Sequence, residues 1–118
     1  MAAESHGATR APQLDAELRE IVHRIVKEFS PRKIILFGSR ARGTATDESD
    51  VDLLVVTDRP GSRRLQAAAI DVALADISVG KDILVIGMED LERERDVVGT
   101  IAYPALHEGI VLYDRAAA

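Results

Sequence analysis

Asp50 and Asp52, separated by one valine, stand at the head of the apolar run Val51–Val56, and Asp82 stands at the head of a second run, Ile83–Ile86. Buried carboxylates are costly unless something positive meets them. In an extended strand residues i and i+2 point to one side with Cα atoms about 6.6 Å apart, so Asp50 and Asp52 share a face while Val51 turns into the core. Two carboxylates so placed suit a hard divalent cation with oxygen ligands, of which Mg2+ is the usual companion of phosphate. Taken alone, Asp-x-Asp would equally suit a solvated strand end, since Asp47 and Glu48 also belong to the loop. Asp82 alters that balance if its strand lies beside the first. Three acids cannot crowd together uncompensated, whereas two metals about 3.5–4 Å apart would neutralise them and organise an in-line displacement at phosphorus. A salt bridge to a lysine or arginine at the sheet edge is the competing role for Asp82.

Upstream, the strand Ile34–Phe37 ends in Gly38-Ser39, followed by helix-compatible Arg40-Ala41-Arg42. Glycine permits close approach, Ser39 offers a hydroxyl, and a helix start presents free N–H groups; together they form a phosphate cradle. No Gly-Lys-Ser/Thr closes the loop, so it is not a Walker A element. Alternatively, Ser39 simply caps a short helix.

Other chemistry-bearing residues have plainer roles. His23 falls off the apolar stripe of its helix, His6 lies near the N-terminus, and His107 sits at a helix end where the dipole favours it. No histidine pair has zinc-ligand spacing. Arg63-Arg64 open a helix where the dipole disfavours cations; they are either solvated or contact a nucleotide or partner. Glu92-Arg93-Glu94-Arg95 reads as a solvated face.

The elements that must position these groups are legible from periodicity. Residues 1–11 are small and polar without a period and are expected to form a disordered tail, leaving 12–118 as the domain. Leu14, Leu18, Ile21, Val22, Ile25, Val26 and Phe29 recur at helical spacing, bounded by Pro12 and by Ser30-Pro31. Strands are expected at Ile34–Phe37 and Val51–Thr57, the latter closed by the turn Asp58-Arg59-Pro60-Gly61. A helix over about 62–77 carries Ala67, Ile70, Leu74 and Ile77 as its stripe. Asp82–Ile86 is a third strand, and Met88–Arg95 is helix-prone. Val97, Val98, Ile101 and Ala105 outline a last helix ending at Gly109, which Pro104 should bend or split. Ile110–Tyr113 suits a short edge strand. This alternation predicts an α/β fold, a small mixed sheet flanked by helices.

The 118 residues suffice for one domain with a modest core. With 47% hydrophobic and 30% charged residues the chain is globular in composition, and the absence of cysteine excludes disulfides and thiolate metal sites. A formal charge of −5 argues against a surface that grips long nucleic acid, but leaves room for a nucleotide bridged by divalent metal. Without a signal-peptide layout or an apolar span of about 18 residues, the expectation is a cytoplasmic protein with no membrane association.

Gly38-Ser39, ten residues, then Asp50-Val51-Asp52 resembles the signature of the DNA-polymerase-beta-like nucleotidyltransferase superfamily. The string GSRARGTATDESDVDLLVV is similar to its minimal nucleotidyltransferase (MNT) branch, and the likeness runs from about residue 15 to 114 through Asp82 and the ending ALHEGIVLY. The resemblance implies the polymerase-beta-like fold. It further implies that Asp50 and Asp52 hold two Mg2+ ions, and that Asp82 binds the second ion or helps deprotonate the attacking hydroxyl. Gly38 and Ser39 would hold the β- and γ-phosphates of ATP, with Arg42 as a further phosphate contact ranked above Arg40.

The core consumes almost the whole chain, so an acceptor pocket is expected to be shared through a homo- or hetero-oligomer. Stand-alone MNT proteins resemble the antitoxin of MNT–HEPN toxin–antitoxin pairs. That likeness implies transfer of AMP to a hydroxyl, typically tyrosine, of a helical HEPN ribonuclease toxin. A small-molecule, antibiotic-type nucleotidyltransferase and a non-catalytic antitoxin acting by binding alone are the alternatives.

Overall fold

The computed structural model describes the backbone of residues 2–46 and 49–117, and the side chains of 16–46 and 49–117. Asp47 and Glu48, read above as part of an acidic loop, lie outside the described residues. The element order is α1 (Ala2–Phe29), β1 (Lys33–Phe37), α2 (Ser39–Arg42), β2 (Val51–Thr57), α3 (Arg63–Ala73), β3 (Lys81–Gly87), α4 (Met88–Glu94), α5 (Ala102–Glu108), β4 (Ile110–Asp114) and a closing 3-10 turn (Arg115–Ala117). The backbone of residues 2–11, set apart above as a tail, belongs to α1. No helix among the described residues is long and apolar enough to cross a membrane.

The four strands form one mixed sheet in the order β3-β2-β1-β4. β1 pairs antiparallel with β2 and β4, whereas β2 and β3 run parallel, joined by α3. Alternation along each strand sends side chains to two faces. On one face Ile34, Leu36, Val51, Leu53, Val55 and Ile83 pack against Ile21 and Ile25 of α1, Ile70 of α3 and Leu74 just beyond its end. On the other, Ile35, Leu54, Val56 and Ile86 meet Leu91 of α4 and Ala102 and Ala105 of α5. β2 is buried along nearly its whole length because both faces are covered, which explains the unbroken apolar run Leu53–Val56 after Asp52. Arg24 clamps α1 to α3, donating to Asp76 Oδ1 at 2.5 Å and Oδ2 at 3.1 Å and to the Ala73 carbonyl at 3.1 Å.

Two further elements differ from expectation. α3 ends at Ala73, and its predicted continuation to Ile77 unwinds through turns that bury Leu74 and Ile77. The last helix begins at Ala102 rather than near Val97. Val97 and Val98 lie in the preceding turn and are exposed, so their apolar spacing has no packing partner. Pro104 consequently occupies the first turn of α5, where its missing N–H breaks no helical bond and bends nothing. Gly109 ends α5 tightly against β1: a Cβ there would stand 3.0 Å from the Leu36 carbonyl oxygen.

Candidate active site

β2 and β3 pair so that Asp52 lies directly opposite Asp82, a separation of about 4.8 Å between Cα atoms in a regular ladder. Both belong to the alternation that carries Leu54, Val56 and Ile86 toward α4 and α5, so the two carboxylates share that face. Asp50 immediately precedes β2, and the Val51 N–H donates to the Gly80 carbonyl at 2.8 Å, extending the pairing to the strand entrance. The expectation that the third strand lies beside the second is met. Asp82 takes part in no salt bridge among the described residues, so it is not the edge ion pair considered for it.

Two glycines make room for these acids. A Cβ at Gly38 would stand 3.1 Å from Asp52 Cγ and closer still to Oδ2; one at Gly80 would stand 3.2 Å from Asp50 Cγ and closer to Oδ1. Gly38 also has φ 77° and ψ −158°, a region only glycine occupies without strain. Gly38 therefore lets the β1 exit pass beside the Asp52 carboxylate. Nothing in the sequence itself marks Gly80 for this role. Its proximity to Asp50 was invisible there because it depends on how β2 and β3 register.

Ser39 is the first residue of α2, not its cap; Gly38 holds the cap position without a side-chain bond. Among the described residues the Ser39 hydroxyl has no partner. α2 is a single turn of four residues, too short for a full macrodipole, so an anion here would rest on the Ser39 hydroxyl and neighbouring N–H groups. Ala41 and Arg42 N–H both donate to the Gly38 carbonyl, at 3.1 Å each, closing the turn.

The two arginines of this turn do different work. Arg40 reaches across the loop and donates to the Ser49 carbonyl, from Nε at 3.1 Å and from Nη2 at 2.5 Å. It thus braces the residue next to Asp50 and is a positioning residue rather than a surface one. Arg42 is half-exposed and lies 3.9 Å from Glu108, a loose pair that leaves it available.

Asp52 is part-buried, and desolvation pushes its carboxyl above the ordinary carboxylate range. The negative charges of Asp82 and Asp50 add to that rise, and the positive charges of Arg42 and Arg40 oppose it. Among the described residues no three Asp, Glu or His side chains are already drawn into one metal-holding cluster. The donors nevertheless fit a hard divalent cation. Asp50, Asp52 and Asp82 offer oxygen ligands only, and mutual repulsion raises the proton affinity of the central one, which a cation would relieve. A hollow of about 700 Å3 between α1 and β4, lined by Ala16, Leu18, Val22 and Leu112 among others, is on the opposite sheet face and takes no part in this constellation.

A family profile described as "Nucleotidyltransferase domain" matches residues 16–106. The chain belongs to that family. Gly38, Ser39, Asp50, Asp52 and Asp82 all fall within the matched segment. Two proteins of Methanocaldococcus jannaschii, each named "Putative protein adenylyltransferase", are similar to it. One is 49% identical over 43 residues, covering 35% of this chain and 43% of the relative. The other is 36% identical over 85 residues, covering 70% and 58%. The chain thus spans about half the length of the curated relatives it matches. In three dimensions it is similar to the crystal structure of a protein titled a "putative nucleotidyltransferase" from Sulfolobus solfataricus. The TM-score is 0.58 at 20% identity, covering 87% of both chains, which bears on the fold alone.

Proposed function

We propose that this nucleotidyltransferase transfers AMP from ATP to a protein hydroxyl, a tyrosine of a helical, HEPN-type ribonuclease toxin, and so acts as an antitoxin. The observation that carries the transfer reaction is the pairing of Asp52 with Asp82 beside Asp50, with Gly38 and Gly80 clearing space for the carboxylates. The names of the two archaeal relatives favour a protein as the acceptor. The toxin partner and the tyrosine rest on the resemblance to stand-alone MNT antitoxins.

Asp50, Asp52 and Asp82 would hold Mg2+, whose charge would neutralise the triphosphate and favour ionisation of the attacking hydroxyl. Ser39 Oγ and the backbone at Gly38 would fix the terminal phosphates, with Arg42 reaching the same oxygens. The acceptor oxygen attacks the α-phosphorus, its proton passes to a carboxylate such as Asp82 or to solvent, and the bond to the bridging oxygen breaks as pyrophosphate leaves with the electron pair. Positioning and charge compensation supply most of the acceleration in such a displacement. Arg40 contributes by holding the Ser49 end of the acidic loop.

Co-expression with the product of the neighbouring reading frame tests the proposal, most directly if that product is a short helical protein with an Arg-x4-His motif. Label from α-labelled ATP should reach the partner in a Mg2+-dependent manner with pyrophosphate released. Asp50→Asn and Asp52→Asn should abolish transfer while leaving the unfolding transition cooperative. Undiminished transfer in both variants would overturn the carboxylate assignment. Neutralisation of the partner that survives both substitutions would instead show action by binding alone.

A further inference from the structure

β2 and β3 are parallel, and their amino ends carry the carboxylates. A separate hollow of about 340 Å3 lies beyond their carboxyl ends, lined by Thr57, Arg59, Arg63, Gly87 and Glu89 among others. Seven residues of β2 separate the two places, a distance of about 20 Å along a strand. The crevice outside the carboxyl ends of parallel strands is where open α/β sheets commonly receive ligands.

Arg63 is the first residue of the eleven-residue helix α3, a position at which the helix dipole opposes a cation. It is nevertheless part-buried and held in place. Nη1 donates to the Arg59 carbonyl at 2.6 Å, and the guanidinium lies across Gly87, where a Cβ would stand 2.5 Å from Nη2 and 3.3 Å from Cζ. Glycine at 87 therefore makes the space that Arg63 fills. Arg59 donates one N–H to the Phe29 carbonyl, at 3.4 Å. Each guanidinium uses one donor group on the backbone and keeps the rest of its fork.

Neither arginine has a carboxylate partner among the described residues. The acids around the hollow are mostly committed elsewhere. Asp58 lies 2.6 Å from Arg115 and 3.8 Å from Arg32, which hold it ionised, and Asp90 is paired with Arg93. Among the described residues that line the hollow, Glu89 is the one carboxylate without an ion pair, against Arg59 and Arg63 on the basic side. Planar forks of this kind match phosphate oxygens in pairs, and the volume lies at the small end of ligand pockets.

We propose that this hollow is a second anion site, holding the phosphate group of a small molecule between Arg59 and Arg63. It lies outside the nucleotidyl-transfer site and does not depend on the acceptor assigned to that site.

The test is titration of the full chain in EDTA, so that the carboxylate site carries no metal, with inorganic phosphate and with AMP as probes and amide chemical shifts as readout. Phosphate should shift the amides of residues 57–63 and 87–90. Arg63→Gln should weaken binding about tenfold or more, the loss expected when a charge-assisted, paired contact is removed. Gly87→Ala should do the same by displacing the guanidinium. If Gly87→Ala proves unfolded by its melting transition, Arg63→Gln alone decides. Tighter binding of AMP than of phosphate assigns an ester as the ligand; equal binding assigns the free ion. Shifts confined to residues 38–42, unchanged affinity in Arg63→Gln, or an equal response to chloride would overturn the proposal.

Discussion

Three glycine-to-alanine variants separate backbone strain from carboxylate placement. Gly38 sits at φ 77°, ψ −158° with its missing Cβ aimed at the Asp52 carboxylate. Gly43 has a similar φ of 79°, in the left-handed region, but open space where a Cβ would go. Gly80 has no such backbone constraint, and its Cβ would meet the Asp50 carboxylate. A non-glycine residue in the region of Gly38 costs about 1–3 kcal/mol, and one in the left-handed region about 1–2 kcal/mol. Displacing a carboxylate adds little to either figure, because a short side chain can swing aside. That swing matters for chemistry, since a misplacement of about 1 Å can cost on the order of a hundredfold in rate. Gly38→Ala should therefore lose about 1–3 kcal/mol in urea unfolding and nearly all Mg2+-dependent transfer. Gly43→Ala should lose comparable stability yet keep its transfer rate, and Gly80→Ala should keep its stability yet lose transfer. Against a typical domain stability of about 5–15 kcal/mol, all three remain folded at 25 °C. Wild-type transfer by Gly80→Ala, or a loss in Gly43→Ala as large as in Gly38→Ala, would refute the reasoning.

The raised pKa of Asp52 makes a signed prediction for the metal-free protein. Because the folded state binds that proton more tightly than the unfolded chain, stability should fall as pH rises from 3.8, the ordinary value, through the raised folded value. Asp58 and Asp76, both held ionised by arginines, act in the opposite sense. The difference in melting temperature between wild type and Asp52→Asn, measured across pH in EDTA, isolates the Asp52 contribution, and a difference independent of pH would contradict it. Mg2+ should raise the melting temperature of wild type at neutral pH and have little effect on Asp52→Asn. Arg40→Gln removes the bonds to the Ser49 carbonyl and should cost about 1–2 kcal/mol. It should also raise the Mg2+ concentration needed for transfer, and an unchanged Mg2+ dependence would show that Arg40 does not position the loop.

The sequence alone determined the local facts of this protein. Asp50 and Asp52 fall on one side because side chains alternate along an extended chain, whatever the rest of the fold does. The apolar residues of Val51–Val56 announced a buried strand, and the structure covers it on both faces. The spacing of Ile21 and Ile25 marked the buried side of α1, and Ile70 and Leu74 were rightly read as core although α3 ends before Leu74. Spacing misled at Val97 and Val98 because an apolar period records what could be buried, and the turn before α5 offers those residues no surface to cover. Tertiary structure decided everything that depends on which strands become neighbours. The opposition of Asp52 and Asp82 is set by the parallel register of β2 and β3, across an intervening helix. Gly38 and Gly80 acquire their roles only when that sheet forms, since each is defined by a carboxylate distant in sequence that arrives within van der Waals reach. Arg40 is likewise read correctly only from the loop carbonyl it meets, and Arg63 only from the glycine at the end of another strand that it covers. Residue type and short-range period travel with the chain, whereas clearance, register and burial come from the assembled sheet.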